Sequence, residues 1–276
     1  MNKLNVALLS LSLSLSTACA GSTASTKASA AAWPLQCAEA EGKGPERLTA
    51  VLAGPQRSPE NRARDQYRHP EATLAFMGLK PTSRVVELWP GAGWYTEVLA
   101  PYLAPCGALT VTGGKNLRAR VAEDPGLFEK VTVVDVDPEH NPLVLGPPGS
   151  ADLVLTFRNI HNWVNAGFEA KVYAAAFEVL APGGVFGVVE HRAAPGAAED
   201  NGNKGYMDQE KVIARIEAAG FKLEEKSEIN ANPKDTKDYP EGVWTLPPAL
   251  ALGDKDKAKY LEIGESDRMT LRFRKP

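Results

Sequence analysis

Residues 85–97 read VVELWPGAGWYTE, and the rest of the chain is best read outward from them. A short apolar run, RVVELW (84–89), carries an acid at Glu87. It breaks at Pro90, turns through Gly91 and Gly93, and enters a segment with helical apolar spacing at Val98, Leu99 and Leu103. Glycine lets a ligand come close to the backbone, and a helix start offers free N–H groups to an anionic group. In an open parallel sheet, the ligand crevice lies beyond the carboxyl ends of the strands, where a loop of this kind sits.

Downstream the same alternation repeats. GALTVT (107–112), VTVVDV (131–136), DLVLTF (152–157) and VFGVVEH (185–191) read as further strands, the last following the turn Pro182-Gly183-Gly184. Between the last two, residues 167–180 carry a helical stripe of Phe168, Val172, Ala175, Ala176 and Val179. Continuous apolar strands separated by helices predict a parallel sheet covered on both faces. Upstream, Ser58-Pro59-Glu60 is a helix start, with a capping Ser and a Pro in the first turn, and predicts a helix to about Arg68. Pro70 opens a second helix, closed by Gly78. Both are expected to cover one end of the sheet. KVIARIEAAG (211–220) is a helix ended by Gly220, followed by FKLEEKSEIN. MTLRFR (269–274) alternates strictly, which predicts a half-exposed antiparallel strand near an edge. The fold class is therefore α/β: a mostly parallel sheet with helices on both faces and an antiparallel finish.

Composition narrows the function classes. The chain has 276 residues, 43% apolar and 24% charged, with a formal net charge of −3. That is a globular mixture, and no Lys/Arg block gives a footprint for nucleic acid. Three cysteines are too few for a disulfide scaffold and lack metal-site spacing, so no metal is expected. Residues 1–18 have the layout of a secretory signal: Lys3, an apolar stretch from Leu4 to Leu15 too short to span a bilayer, then small residues. STAC (16–19) resembles a lipobox, which makes Cys19 the expected lipidated residue. Ala18-Cys19-Ala20 offers a rival cut that would release a soluble protein. Residues 19–32 read as a flexible tether and 33–276 as one domain. The expected location is exported and periplasmic, with the membrane engaged through a lipid anchor only. There Cys37 and Cys106 are free to pair. Nothing in the residues sets the oligomeric state.

VVELWPGAGWYTE, DLVLTFRNIHNW (152–163) and LAPGGVFGVVEHR (180–192) together resemble class I S-adenosylmethionine-dependent methyltransferases. More narrowly, the chain is similar to a group of predicted bacterial methyltransferases with an export leader. There the WPG-x-GWYTE segment, RN-x-HNW and a GESDRM stretch like that in IGESDRMTLRFRKP recur. The match runs from about residue 58 to the end. The resemblance implies a Rossmann-like, seven-stranded, mostly parallel sheet with an antiparallel last strand, and S-adenosylmethionine as cofactor. It implies that Glu87 faces the methionine ammonium. Gly91 and Gly93, with Trp89, Trp94 and Tyr95 around them, would bring backbone to the carboxylate and ribose, and Asp135 would meet the adenine amino group. Two positions depart from the family: Trp89 stands at the usual first Gly, and the second strand ends TGGKN (112–116) without the ribose-holding acid, leaving Asn116 as a substitute. A nicotinamide cofactor fits less well, because Thr96 occupies the third Gly position of G-x-G-x-x-G.

His161 and His191 fall at the ends of the fourth and fifth predicted strands, on the rim that carries the glycine loop. Arg158, Asn159, Asn162 and Trp163 surround the first, and Glu190 and Arg192 flank the second; these six are the candidate substrate contacts. Methyl transfer to a hydroxyl or amine of a small-molecule acceptor needs proton removal, with His161 the first candidate base and His191 the second. Both also suit hydrogen-bonded structural roles. NANPKDTKDYPEGVWTLPP (230–248) is an ordered loop by composition, either a lid on the rim or a surface excursion. The expected function is an exported methyltransferase; the alternative is a non-catalytic binding lipoprotein on the same fold.

Overall fold

The computed structural model describes Cys37, residues 42–197 and residues 203–276. The leader, the tether and Cys19 lie outside the described residues. From residue 42 on, the described residues begin with four short helices: α1 (Gly44–Leu52), α2 (Pro59–Ala63), α3 (Asp65–Arg68) and α4 (Pro70–Phe76). Then follow β1 (Arg84–Leu88), α5 (Thr96–Leu103), β2 (Ala108–Gly113), α6 (Lys115–Glu123), β3 (Val131–Asp135), β4 (Ala151–Phe157), α7 (Ile160–Asn165), α8 (Glu169–Val179) and β5 (Leu180–His191). The chain ends with α9 (Gln209–Ala218), β6 (Lys222–Ser227), a 3-10 turn (Gly242–Thr245), α10 (Lys257–Ile263) and β7 (Arg268–Arg274).

The seven strands form one sheet in the order β3-β2-β1-β4-β5-β7-β6. The first five pair in parallel, and β7 runs antiparallel to both of its neighbours. Chain direction across the sheet reverses between β1 and β4, which makes that junction the topological switch point. The period-2 alternation of each strand feeds two separate cores. Val86, Val154, Phe186 and Leu271 point to the face packed by α7, α8 and α9. Val85, Leu153, Leu155 and Val189 point to the opposite face, against Leu48 of α1, Leu74 of α4 and Val98 and Leu99 of α5. Each such side chain, fully buried, contributes about 1.5–3 kcal/mol. The upstream helices thus pack on one face of the sheet. At Gly187 the approach is so close that a Cβ would stand 2.5 Å from the Met77 sulfur, so any side chain there would force Met77 and Leu155 to shift.

Three expectations change in detail. The helix expected over 59–68 breaks at Arg64, although Ser58 caps it by accepting from the Asn61 N–H. β5 begins at Leu180, because the Pro182-Gly183-Gly184 turn is absorbed into the strand as an irregularity opposite Ala151 and Leu153. β7 is covered on both faces, where the sequence predicts half exposure. β6 takes the edge position, Thr270 accepts a hydrogen bond from Asn230 Nδ2, and the guanidiniums of Arg272 and Arg274 fold onto Glu224. Cys37 and Cys106 form a disulfide, with 5.4 Å between their Cα atoms. Among the described residues no helix is long and apolar enough to cross a membrane.

Candidate functional site

The rim at the carboxyl ends of the parallel strands has two halves. On the β1–β2 side, Trp89 leaves the strand with φ +44°, in the left-handed region that a glycine enters at no cost. Its N–H donates to Thr112 Oγ1 at 2.6 Å, and its ring packs on Trp163 and Phe168 with centroids 5.2 and 6.1 Å away. These contacts hold the bulky residue in a strained conformation. Gly91 follows with φ +63° and open space where a Cβ would stand. A cleft of about 240 Å³ opens here, lined by Trp89, Gly91, Thr112, Gly114, Asn116 and Asn159 among others. It lies beside the switch point, as the loop's position in the sequence predicts.

The remaining candidate cofactor residues are placed differently. Gly93, with φ +83°, closes the loop onto α5, where a Cβ would touch Thr96 and Leu117 at 3.4 Å. Glu87 lies in the core behind that loop, and its carboxyl accepts one hydrogen bond, from Thr96 Oγ1 at 2.7 Å. Burial pushes its pKa up to about 8, so Glu87 is protonated at neutral pH. Trp94 is sandwiched between Arg57 and Arg68, whose guanidinium carbons stand 4.9 and 4.6 Å from its ring. Tyr95 stacks on Phe157 at 3.6 Å, and its hydroxyl donates to the Arg68 carbonyl. Asp135 is 81% exposed at the end of β3 and pairs with Arg118, outside the cleft lining.

The β4–β5 side is built around a buried carboxyl. Glu190 is fully enclosed, and three donors converge on it: the Ile160 N–H at 2.6 Å, the His191 N–H at 2.8 Å and His161 Nδ1 at 3.0 Å. With both oxygens accepting backbone N–H groups, the network assigns the His161 proton to Nδ1 and leaves Nε2 as a lone pair. His191 Nδ1 lies 2.5 Å from Ser266 Oγ, and the two imidazoles are 5.4 Å apart. Burial, with His161 and the cations Arg158, Arg268 and Arg68 nearby, holds the His191 pKa well below its ordinary value, so its ring is neutral.

Of the six candidate substrate contacts, Arg158 and Glu190 join the histidines. Asn159 lines the cleft while its Nδ2 donates to the Leu88 carbonyl and Thr156 Oγ1. Asn162 is exposed, Trp163 is buried in the core beside Trp89, and the Arg192 guanidinium is engaged by Glu228 and Asp267. The segment 230–248 folds over the rim. Asn230 is tied to Thr73 and Thr270, Asp235 accepts from Tyr206 and from the Asp267 N–H, and Trp244 lies edge-on to His161 at 5.9 Å.

Sequence reasoning does not reveal a group that the fold assembles behind the histidines. Arg64, Arg68 and Arg268 all reach the buried Glu265, at 2.7, 3.1 and 3.1 Å. Burial works to raise the Glu265 pKa, but the guanidiniums of Arg68, Arg268, Arg64 and Arg158 more than reverse this and hold it at about 2. The one sequence signal was the charged stretch GESDR just before the last strand. The atoms of His161, Glu190 and His191 lie within 4.8 Å of one another and so include ligand types for a metal ion. However, three donors already take up most of the lone pairs of Glu190.

No protein-family model matches the chain, and no curated protein matches it. Solved structures do share its fold. A SAM-dependent methyltransferase from Aquifex aeolicus aligns over 84% of this chain and 98% of its own, at 16% identity and a TM-score of 0.53. The cyclase SpnF aligns over 86% of this chain and 95% of its own, at 18% identity and a TM-score of 0.54. The architecture is therefore that of the S-adenosylmethionine-dependent methyltransferases, and a cyclase shares it, so the fold alone does not fix the reaction.

Proposed function

We propose that this chain is an S-adenosylmethionine-dependent methyltransferase acting on a small-molecule acceptor. One juxtaposition carries the reading. Asn159 lines the glycine-loop cleft, and two residues later His161 stands in a buried hydrogen bond with Glu190. A nucleotide-type cleft and a candidate base thus share one rim, two residues apart in the chain. The cleft fits the cofactor's backbone-held contacts: Gly91 is open to close approach, and Asn116 offers an amide where the family has an acid. Bound there, S-adenosylmethionine would supply an electrophilic methyl group for an in-line displacement. His161 takes the acceptor's proton at Nε2, while Glu190 holds Nδ1–H and stabilises the imidazolium that results. His191, kept neutral by burial, is the second candidate base.

Calorimetric titration with adenosylmethionine, adenosylhomocysteine and NAD tests the reading. Saturable binding of a sulfur ligand is expected, and its absence at about 1 mM removes the methyltransferase assignment. His161→Ala is expected to abolish formation of adenosylhomocysteine in a small-molecule extract while cofactor affinity changes less than about threefold. A collapse of cofactor affinity would instead make His161 part of the cofactor pocket.

A non-catalytic binding lipoprotein is the second reading. It is favoured by Glu87, sealed behind the loop by Thr96, and by Asp135, whose carboxylate is taken up by Arg118. Ligand binding with no adenosylhomocysteine formed would select it. We further propose that the chain is exported and held at the periplasmic membrane through Cys19. The Cys37–Cys106 disulfide supports export, because such bonds persist in oxidising compartments. Intact mass of the membrane fraction tests the anchor. An acylated Cys19 is expected, and an unmodified N-terminus at Gly21 refutes it.

A further inference from the structure

Charge does not balance beside the histidines. Four guanidiniums, those of Arg64, Arg68, Arg158 and Arg268, surround one carboxylate, Glu265. Arg268 is fully engaged by Glu265, the Ser266 carbonyl and the Tyr67 carbonyl. The other three are not. Nη2 of Arg64 and Nη2 of Arg68 are both buried without a hydrogen-bond partner, and Arg68 is only 2% exposed. Among the described residues the Arg158 guanidinium donates no hydrogen bond, although its backbone is pinned to the Val189 carbonyl at 2.7 Å. Arg158 also sits at φ +63°, a costly conformation for a side-chain-bearing residue, directly after β4.

Arg64 and Arg68 each bond Glu265 through Nε, but a buried charged donor left unpaired is expensive, and the usual remedies are neutralisation or an anion. Burial pulls Arg68 down to about 9 and Arg158 to about 10, which leaves both charged at neutral pH. The neighbouring Tyr95 hydroxyl, pushed up by burial to about 12, supplies no negative charge. The same arithmetic opposes a metal ion at His161, Glu190 and His191. A divalent cation there would face the guanidiniums of Arg158, Arg268 and Arg68 against two carboxyl groups. Guanidinium forks instead match the planar oxygens of a carboxylate or the oxygens of a phosphate.

We propose that Arg64, Arg68 and Arg158 form an oxyanion-anchoring site, which binds a carboxylate or phosphate group of the acceptor beside His161. This rests on the methyltransferase reading for the word acceptor; the oxyanion site itself rests on the unsatisfied Nη2 atoms of Arg64 and Arg68 and on the Arg158 guanidinium.

The test titrates the full chain, without cofactor, with benzoate in one arm and inorganic phosphate in the other. One equivalent of at least one anion is expected to bind. Tighter benzoate binding assigns a carboxylate acceptor, and tighter phosphate binding a phosphate ester. Arg158→Gln is expected to weaken that binding at least about tenfold, with Arg158→Lys recovering part of it. Arg64→Gln, at a half-buried position, provides a second variant should Arg158→Gln fail to fold. The site is overturned if neither anion binds by about 50 mM, or if both glutamine variants bind as the wild type does. Adenosylmethionine titrated into the same samples separates the two claims. A blank there with oxyanion binding intact ends the methyltransferase reading alone, and the converse ends the oxyanion site alone.

Discussion

Glu87 stands near the end of β1 and Glu190 near the end of β5, and both carboxyls are buried, yet their surroundings are opposite. Glu87 receives one hydrogen bond, from the Thr96 hydroxyl, and is held protonated by burial. Glu190 receives three, two of them from backbone N–H groups that cannot move away. The two halves of the rim follow this pattern. The glycine-loop side is an open cleft whose acids are sealed away or exposed, so it can hold a ligand chiefly through backbone and amides. The histidine side is enclosed, cross-linked through Glu265 and Ser266, and capped by Trp244. A site that must bind and release a soluble cofactor suits the first arrangement. A site that must aim a base suits the second.

The largest effect that would break this contrast is expected at Glu190. Glu190→Ala strands two backbone donors and His161 in the core, and should destabilise the fold by about 3–5 kcal/mol in urea unfolding. A loss below about 1 kcal/mol would show that water replaces the carboxyl and that the histidine side is not enclosed. Glu87→Gln should act with the opposite sign, keeping a partner for Thr96 while removing an acid that burial penalises. The native state holds the Glu87 proton up to about pH 8, whereas the unfolded chain releases it near 4.5. Stability therefore falls as pH rises between these values. The variant should gain about 3 kcal/mol at pH 7 and almost nothing near pH 4.5.

His191 sharpens the comparison through the opposite slope. Its pKa is depressed in the native state, so below the ordinary value of 6.5 the unfolded chain binds a proton that the native state refuses. Stability from this group is present above pH 6.5 and is lost as pH falls below it. His191→Gln should flatten that slope, by at most about 1.4 kcal/mol per pH unit. The smallest effect belongs to Asp135→Asn, which removes one exposed ion pair with Arg118. No measurable change in melting temperature is expected there. A clear loss of adenosylmethionine affinity in that variant would return Asp135 to the cofactor cleft.

Much of the scaffold was legible because buried parallel strands must be apolar on both faces. VVELW, DLVLTF and VFGVVEH could hardly be read otherwise, and the strand ends automatically brought His161, Glu190 and His191 to one rim. The break at Arg64 was not legible. No glycine or proline marks it, and Arg64 is drawn instead to Glu265, some 200 positions away. The burial of β7 was missed for a related reason. Alternating arginines signal a solvent-facing side, unless carboxylates elsewhere in the chain come to meet them, as Glu224 does.

By itself, the sequence determined the α/β alternation, the glycine turn and which polar residues reach the strand ends, because periodicity and backbone sterics act over a few neighbouring residues. Only the tertiary structure decided which of those polar groups are usable. It closed Glu87 behind its own loop, spent Arg192 on Glu228 and Asp267, and gathered Arg64, Arg68, Arg158 and Arg268 around one carboxylate. Burial and charge pairing depend on groups far apart in the chain, and their energies are set by what arrives from elsewhere.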